Sequence, residues 1–185
     1  MKSKKTNENN ILVTLQKFIT LEIQRYTSIP FPNYRHIPGL TPHPISNING
    51  HSYGKKKEII KRISEKNWFS NNQYLYAIDL FNYKYFWEAH EVLEDLWRLE
   101  PPSNLKLFLQ GIIQISAAYL KWIQEIYIGM NKLSFKGIKK LHLVKESHRN
   151  FCGIDLEKFI EENQNFFNFE YKKNKIPPSI ELKKM

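Results

Sequence analysis

The stretch LKLFLQGIIQISAAYLKWIQEIYI, Leu105–Ile128, is apolar around most of a helical circumference. Only a narrow stripe of Lys106, Gln110, Gln114, Ala117, Lys121 and Gln124 is left for water or for polar partners. A helix of this kind holds together only when other elements surround it, so the remainder of the chain must supply them. Most of it reads as further helix. Apolar residues at 12, 15, 19, 23 and 26 fit one face of a helix from Asn10 to Tyr26. The same period recurs over Lys55–Trp68, Gln73–Phe81, Tyr85–Leu99, Lys132–His148 and Asp155–Phe167. Gly129 is expected to end the central helix, and Ser103, after Pro101-Pro102, is its expected N-cap. The expected fold is an all-α single-domain bundle of antiparallel helix pairs. Tyr85–Leu99 should pack beside Leu105–Ile128, because the Pro-Pro-Ser connection is short.

One segment cannot be helix. SIPFPNYRHIPGLTPHPISNINGHSYG, residues 28–54, holds five of the nine prolines and three of the six histidines. It also carries Phe31, Tyr34 and Tyr53 and little charge, which is not the composition of a disordered linker. We expect an ordered loop packed on the domain. The chain thus divides into an N-terminal helix (1–27), the Pro/His-rich loop (28–54), a helical core (55–170) and an extended tail (171–185) in which Ile180 and Leu182 dock.

At 185 residues the chain can bury a core without a disulfide or a metal. Its single cysteine, Cys152, suits a reducing compartment. No secretory signal is visible, and the longest uncharged apolar run, Leu107–Leu120, is too short to span a bilayer, so a cytoplasmic location is expected. The net charge of +10 lies mostly in lysine-rich runs (KSKK, KKKEIIKR, YKKNK, LKKM) and reads first as solvated surface. Nucleic acid is a weakly supported partner.

The densest chemistry lies in YFWEAHEVLEDLW, Tyr85–Trp97. With His90 at zero and about 100° per residue, Ala89, Leu93, Leu96, Phe86, Trp97 and Trp87 form an apolar arc, and Glu94 falls about 40° round, inside it. Glu88, Glu91, Asp95 and Arg98 gather opposite, so His90 and Glu94 are expected to point inward. An inward carboxylate is costly unless it is paired or bound to a cation. One reading is a buried hydrogen-bonded pair. The other is a divalent metal ion such as zinc or manganese, shared by a His and a Glu at i, i+4. Two ligands are too few, and His43 and His51 of the loop are the candidates for the rest, with His36 a weaker one. Gln110 and Gln114 are candidates to hydrogen-bond this site from the central helix.

LFNYKYFWEAHEVLEDLWR followed by FLQGIIQISAAYLK resembles the family known as domain of unknown function 309, marked by H-x-x-x-E-x-x-W or Y, here His90, Glu94 and Trp97. The resemblance covers at least Ala77–Leu143, and the proline-rich loop and SIEL near the end resemble segments of longer members. It implies an all-helical fold and a metal-dependent hydrolase, a reading that rests on the motif and names no substrate. The matching residues are Glu88, His90, Glu91, Glu94 and Trp97, then Gln110 and Gln114, with His43 and His51 in the loop. Lys84 stands where the family turn tends to have glycine; a positive φ there strains lysine by about 1 kcal/mol.

Two functions follow. In the first, His90 and Glu94, with His43 and His51, hold a metal that acidifies water for attack on a small-molecule substrate, and Glu91 or Glu88 moves the proton. Glu91 lies about 100° from His90, which counts against it as a base. In the second, the protein is a non-enzymatic helical binding module: His90–Glu94 is a buried structural pair, and the basic exterior meets nucleic acid, an acidic protein or a membrane surface. Substrate, choice of metal and oligomeric state are open on the sequence.

Overall fold

The computed structural model describes residues 23–56, 59–168 and 176–183. Its helices are α1 (Asn72–Asn82), α2 (Phe86–Arg98), α3 (Asn104–Ile123), α4 (Tyr127–Lys145) and α5 (Leu156–Asn168). A small hairpin, β1 (Asn150–Phe151) with β2 (Ile154–Asp155), joins α4 to α5. The fold is all-α, as the patterning predicts. Consecutive helices pack on one another, and α3 is the hub, touching α2 on one side and, most extensively, α4 on the other.

The α3–α4 contact is close because two glycines face each other. A Cβ on Gly137 would sit 2.8 Å from the Gly111 carbonyl oxygen, and one on Gly111 would meet Leu141 at 2.7 Å. Around α3 the core is aromatic: Tyr119 stacks on Phe86 at 4.7 Å and meets Phe166 and Phe167. Its buried hydroxyl donates to Asn163 Oδ1 at 2.6 Å, while Asn163 Nδ2 donates to the Phe159 carbonyl. Each fully buried side chain of this size contributes about 1.5–3 kcal/mol, and the paired polar atoms keep that gain from being offset.

Helix ends follow local chemistry. Asn71 caps α1 by accepting from Tyr74 N, Ser103 caps α3 by accepting from Lys106 N, and Asp155 accepts from Lys158 N at the start of α5. At the other end, α1 closes with Tyr85 N donating to the Leu80 carbonyl and Lys84 N to that of Phe81, around a left-handed Lys84 (φ 67°). α3 closes identically through Ile126 N to Lys121 O and Glu125 N to Trp122 O, around Glu125 (φ 59°). The hairpin turn uses Cys152 (φ 45°) and Gly153 (φ 80°), both left-handed as a two-residue turn demands.

Three expectations need correction. The central helix ends at Ile123, not at Gly129, because a glutamate occupies the left-handed position that glycine usually marks; Gly129 lies inside α4, where a Cβ would press on the Lys121 side chain. The helix expected over Lys55–Trp68 is absent: its described residues are non-helical up to a single 3-10 turn, Trp68–Ser70. There the backbone is claimed by side chains instead, Asn71 Nδ2 donating to the Lys61 carbonyl and Gln73 Nε2 to that of Ile59, while Ile63 and Trp68 insert separately into the core. Of the helix expected over Asn10–Tyr26, residues 10–22 lie outside the described residues, and Ile23–Tyr26 are not helical. Those residues are held by the buried Asp79 carboxylate, which accepts from Tyr26 N (2.7 Å), Thr27 N (2.9 Å) and Thr27 Oγ1 (2.7 Å), with Arg25 Nε at 3.3 Å.

The Pro/His-rich loop is ordered and packed on the bundle. Tyr76 and Tyr85 hydroxyls donate to the Pro30 and Pro32 carbonyls, Arg35 Nε to the Tyr83 carbonyl and Gln124 Nε2 to the Pro38 carbonyl. Phe31 stacks on Tyr85 at 5.0 Å. In the tail, residues 176–183 have no regular secondary structure. Asn82 both donates to the Ile180 carbonyl (2.8 Å) and accepts from Ile180 N (2.6 Å), and Lys84 Nζ reaches the Pro177 carbonyl at 2.9 Å.

Candidate metal centre

Helix α2 buries the stripe Phe86, Ala89, Leu93 and Leu96 against its neighbours. That stripe is centred further from His90 than the apolar arc of the sequence suggested, because the two tryptophans counted in it are only half-buried. His90 and Glu94 therefore stand on the shoulder of the helix, not in the core, with side chains 27% and 29% exposed. The residue that is buried is Glu88, 5% exposed, although its helical angle puts it on the polar side. The loop covers that side. Glu88 Oε1 accepts from His36 N at 2.7 Å and faces His51 Nε2 at 3.1 Å, while its Oε2 is buried without a hydrogen-bond partner.

On the shoulder, one ligand atom each from His90, Glu91 and Glu94 lies within 4.8 Å of the others, the one such three-residue group among the described residues. His90 Nδ1 is buried and makes no hydrogen bond; it faces Glu91 Oε1 at 3.4 Å, an electrostatic contact without hydrogen-bond geometry. Glu91 reaches His90 despite their angular separation because adjacent long side chains can fold toward one another. Glu94 Oε2 is paired with Arg98 at 3.1 Å. One imidazole nitrogen and two carboxylates form a donor set that suits zinc or manganese. The chain's own substitute for a cation, Arg98, contacts one of the three.

The loop histidines are elsewhere. His51 is spent on Glu88, its Nδ1 lying 2.9 Å from Ser52 Oγ. His43 packs edge-on to Trp87 at 5.5 Å and its Nδ1 accepts from Ile45 N and Ser46 N. Neither joins the three-residue group on α2, so the ligands expected from the loop are not supplied there. His36 lies buried between Trp87 and His43; burial, and secondarily the nearby His43, holds its imidazole below the ordinary histidine range. On α3, Gln114 Oε1 accepts from Lys140, not from the α2 shoulder, and no hydrogen bond joins Gln110 to His90 or Glu94 among the described residues. Trp97 carries Lys106 Nζ over its ring at 4.6 Å, with its own Nε1 buried and unpartnered. A groove of about 1070 Å³ opens on the other flank of α2, lined by Phe31, His51, Arg62, Tyr76, Val92 and Asp95 among others.

Residues 74–133 match the family described as domain of unknown function DUF309. The match spans α1, α2, α3 and the start of α4, and so includes both the H-x-x-x-E helix and its central partner. The uncharacterized protein YpuF of Bacillus subtilis (strain 168) is 24% identical over 94 residues, 50% of this chain and 52% of that protein. The chain thus spans about half the length of this curated relative. No solved structure matches it significantly.

Sequence reasoning missed Glu88 as a buried anchor, since its partners, a backbone N–H and His51, come from a loop tens of residues away. It also missed Asp79, whose only sequence signal was a carboxylate in the middle of the apolar run YAIDLF.

Proposed function

We propose that this DUF309-matching protein binds a divalent metal ion on the shoulder of α2, through His90, Glu91 and Glu94. The observation that carries the proposal is the buried Nδ1 of His90, which makes no hydrogen bond, beside two carboxylates whose ligand atoms lie within 4.8 Å. A buried imidazole nitrogen without a hydrogen bond costs about 1–3 kcal/mol, a cost that a bound cation removes. The alternative, a His90–Glu94 staple, has against it that both side chains are over a quarter exposed and that Glu94 engages Arg98 instead. A divalent ion supplies Lewis acidity toward water or a substrate oxygen when bound. Hydrolysis is not part of the proposal. Of the two candidate proton carriers, Glu91 is taken up as a ligand and Glu88 is held by His36 and His51 under the loop, while the large groove lies on the opposite flank.

The test is thermal unfolding of chelator-treated protein with and without zinc or manganese. At about 100 times the dissociation constant, binding adds roughly 2.7 kcal/mol, on the order of 5–11 °C in a domain of this size. We expect the rise in wild type and its loss in His90→Ala and Glu94→Ala. Equal midpoints with every ion tried would overturn the proposal.

A further inference from the structure

Helix α4 carries five lysines and no carboxylate between Tyr127 and Lys145. It turns Met130, Ser134, Gly137, Leu141 and Val144 inward, onto the bundle. Its opposite face presents Ile128, Phe135 and Leu143 to solvent, 81%, 69% and 44% exposed. Lys132, Lys136 and Lys139 are exposed on the same face, interleaved with them. At about 1.5 Å per residue the apolar tips span roughly 22 Å of straight ridge. Apolar tips set between cations on one helix face make the amphipathic pattern of a helix that lies on a membrane interface. Lys140, at the edge of the face, has its pKa lowered by burial and then by Lys136 and Lys139, so the positive charges sit close enough to repel one another.

We propose that this face of α4 docks the protein onto an anionic lipid surface. The chemistry of the face separates three candidate occupants. A second copy would bring like charges together. A polynucleotide would use the lysines but leave Ile128, Phe135 and Leu143 in water. An anionic bilayer uses both: the lysine stems extend along the interface with their ammonium groups at the phosphates, and the apolar tips enter the headgroup boundary. The face is a convex ridge, the shape a bilayer accepts and a peptide-binding groove lacks. The net charge of +10 attracts the whole molecule to such a surface. This inference is independent of the metal reading.

The experiment is flotation of the full chain with vesicles of phosphatidylcholine alone and of equimolar phosphatidylcholine and phosphatidylglycerol. We expect binding to the anionic vesicles only, weakened by salt. Each lysine at such a surface is worth about fivefold in affinity, the equivalent of about 1 kcal/mol, so Lys→Gln at 132, 136 and 139 together lowers binding roughly a hundredfold. The same charge change at Lys2, Lys4 and Lys5 serves as the comparison and should cost far less. Phe135→Ser, which changes no charge, should reduce binding several-fold with circular dichroism unaltered. The proposal is overturned if the anionic vesicles capture no protein, if both triple variants lose binding equally, or if Phe135→Ser binds like wild type. Tighter capture by a polynucleotide through the same lysines, indifferent to Phe135, would overturn it too.

Discussion

Replacing Lys84 by alanine and by glycine in parallel separates two opposed effects at one residue. Lys84 is 2% exposed, lies in the left-handed region at φ 67°, and donates from Nζ to the Pro177 carbonyl at 2.9 Å, with Pro178 O and Ser179 Oγ at 3.4 and 3.3 Å. Removing the side chain beyond Cβ exposes three methylenes' worth of burial, about 2 kcal/mol, and orphans a buried carbonyl for about 1–3 kcal/mol more. Alanine keeps the backbone strain and glycine releases about 1 kcal/mol of it, so Lys84→Gly should be the more stable variant, the reverse of the usual order. Charge adds a pH dependence. Burial, and then the positive Arg35, pull the ammonium from its ordinary 10.5 down to about 7. The unfolded chain therefore binds the proton where the folded one sheds it, between about pH 7 and 10. This group's contribution is full above its unfolded pKa, falls by at most about 1.4 kcal/mol per pH unit on acidification, and levels off below about pH 7; the oxygens around Nζ favour the ammonium and lessen the slope. Urea unfolding of wild type and both variants at pH 7 and pH 9, followed by tryptophan fluorescence, reads all three effects. The advantage of wild type over Lys84→Ala should grow toward pH 9. The reasoning is refuted if Lys84→Ala matches wild type at pH 9, if it outlasts Lys84→Gly, or if the difference does not change with pH.

Other perturbations probe the site and the packing. Glu88→Ala orphans His36 N and frees His51, so limited proteolysis should cut within residues 28–54 markedly faster than in wild type, with a global loss of about 1–3 kcal/mol by urea unfolding. Gly137→Ala forces a Cβ to within 2.8 Å of the Gly111 carbonyl oxygen, and the separation of α3 from α4 it requires should cost about 1–3 kcal/mol in the same assay. Arg98→Gln removes the cation that competes for Glu94, so titration calorimetry should show tighter zinc or manganese binding than in wild type; unchanged or weaker affinity would place the ion away from Glu94.

The sequence by itself determined what depends on neighbours along the chain. The largely apolar circumference of Leu105–Ile123 required a bundle around it, the proline density of residues 28–54 forbade helix there, and Ser103 announced its own helix start. The strain at Lys84 came from the family resemblance, which puts glycine at that turn, and the positive φ of 67° fits it. Tertiary structure decided the rest. The end of α3 was hidden because Glu125 adopts the conformation expected of glycine, held there by hydrogen bonds that only the folded turn provides. Lys55–Trp68 has helical spacing, yet Asn71 and Gln73 take its carbonyls, so a partner outside the segment overrode the pattern. The same holds for α2. Angle alone assigned Glu88 to water and His90 to the core, but burial is set by what lies over each flank: a loop closes over the first, and a shoulder leaves the second partly open.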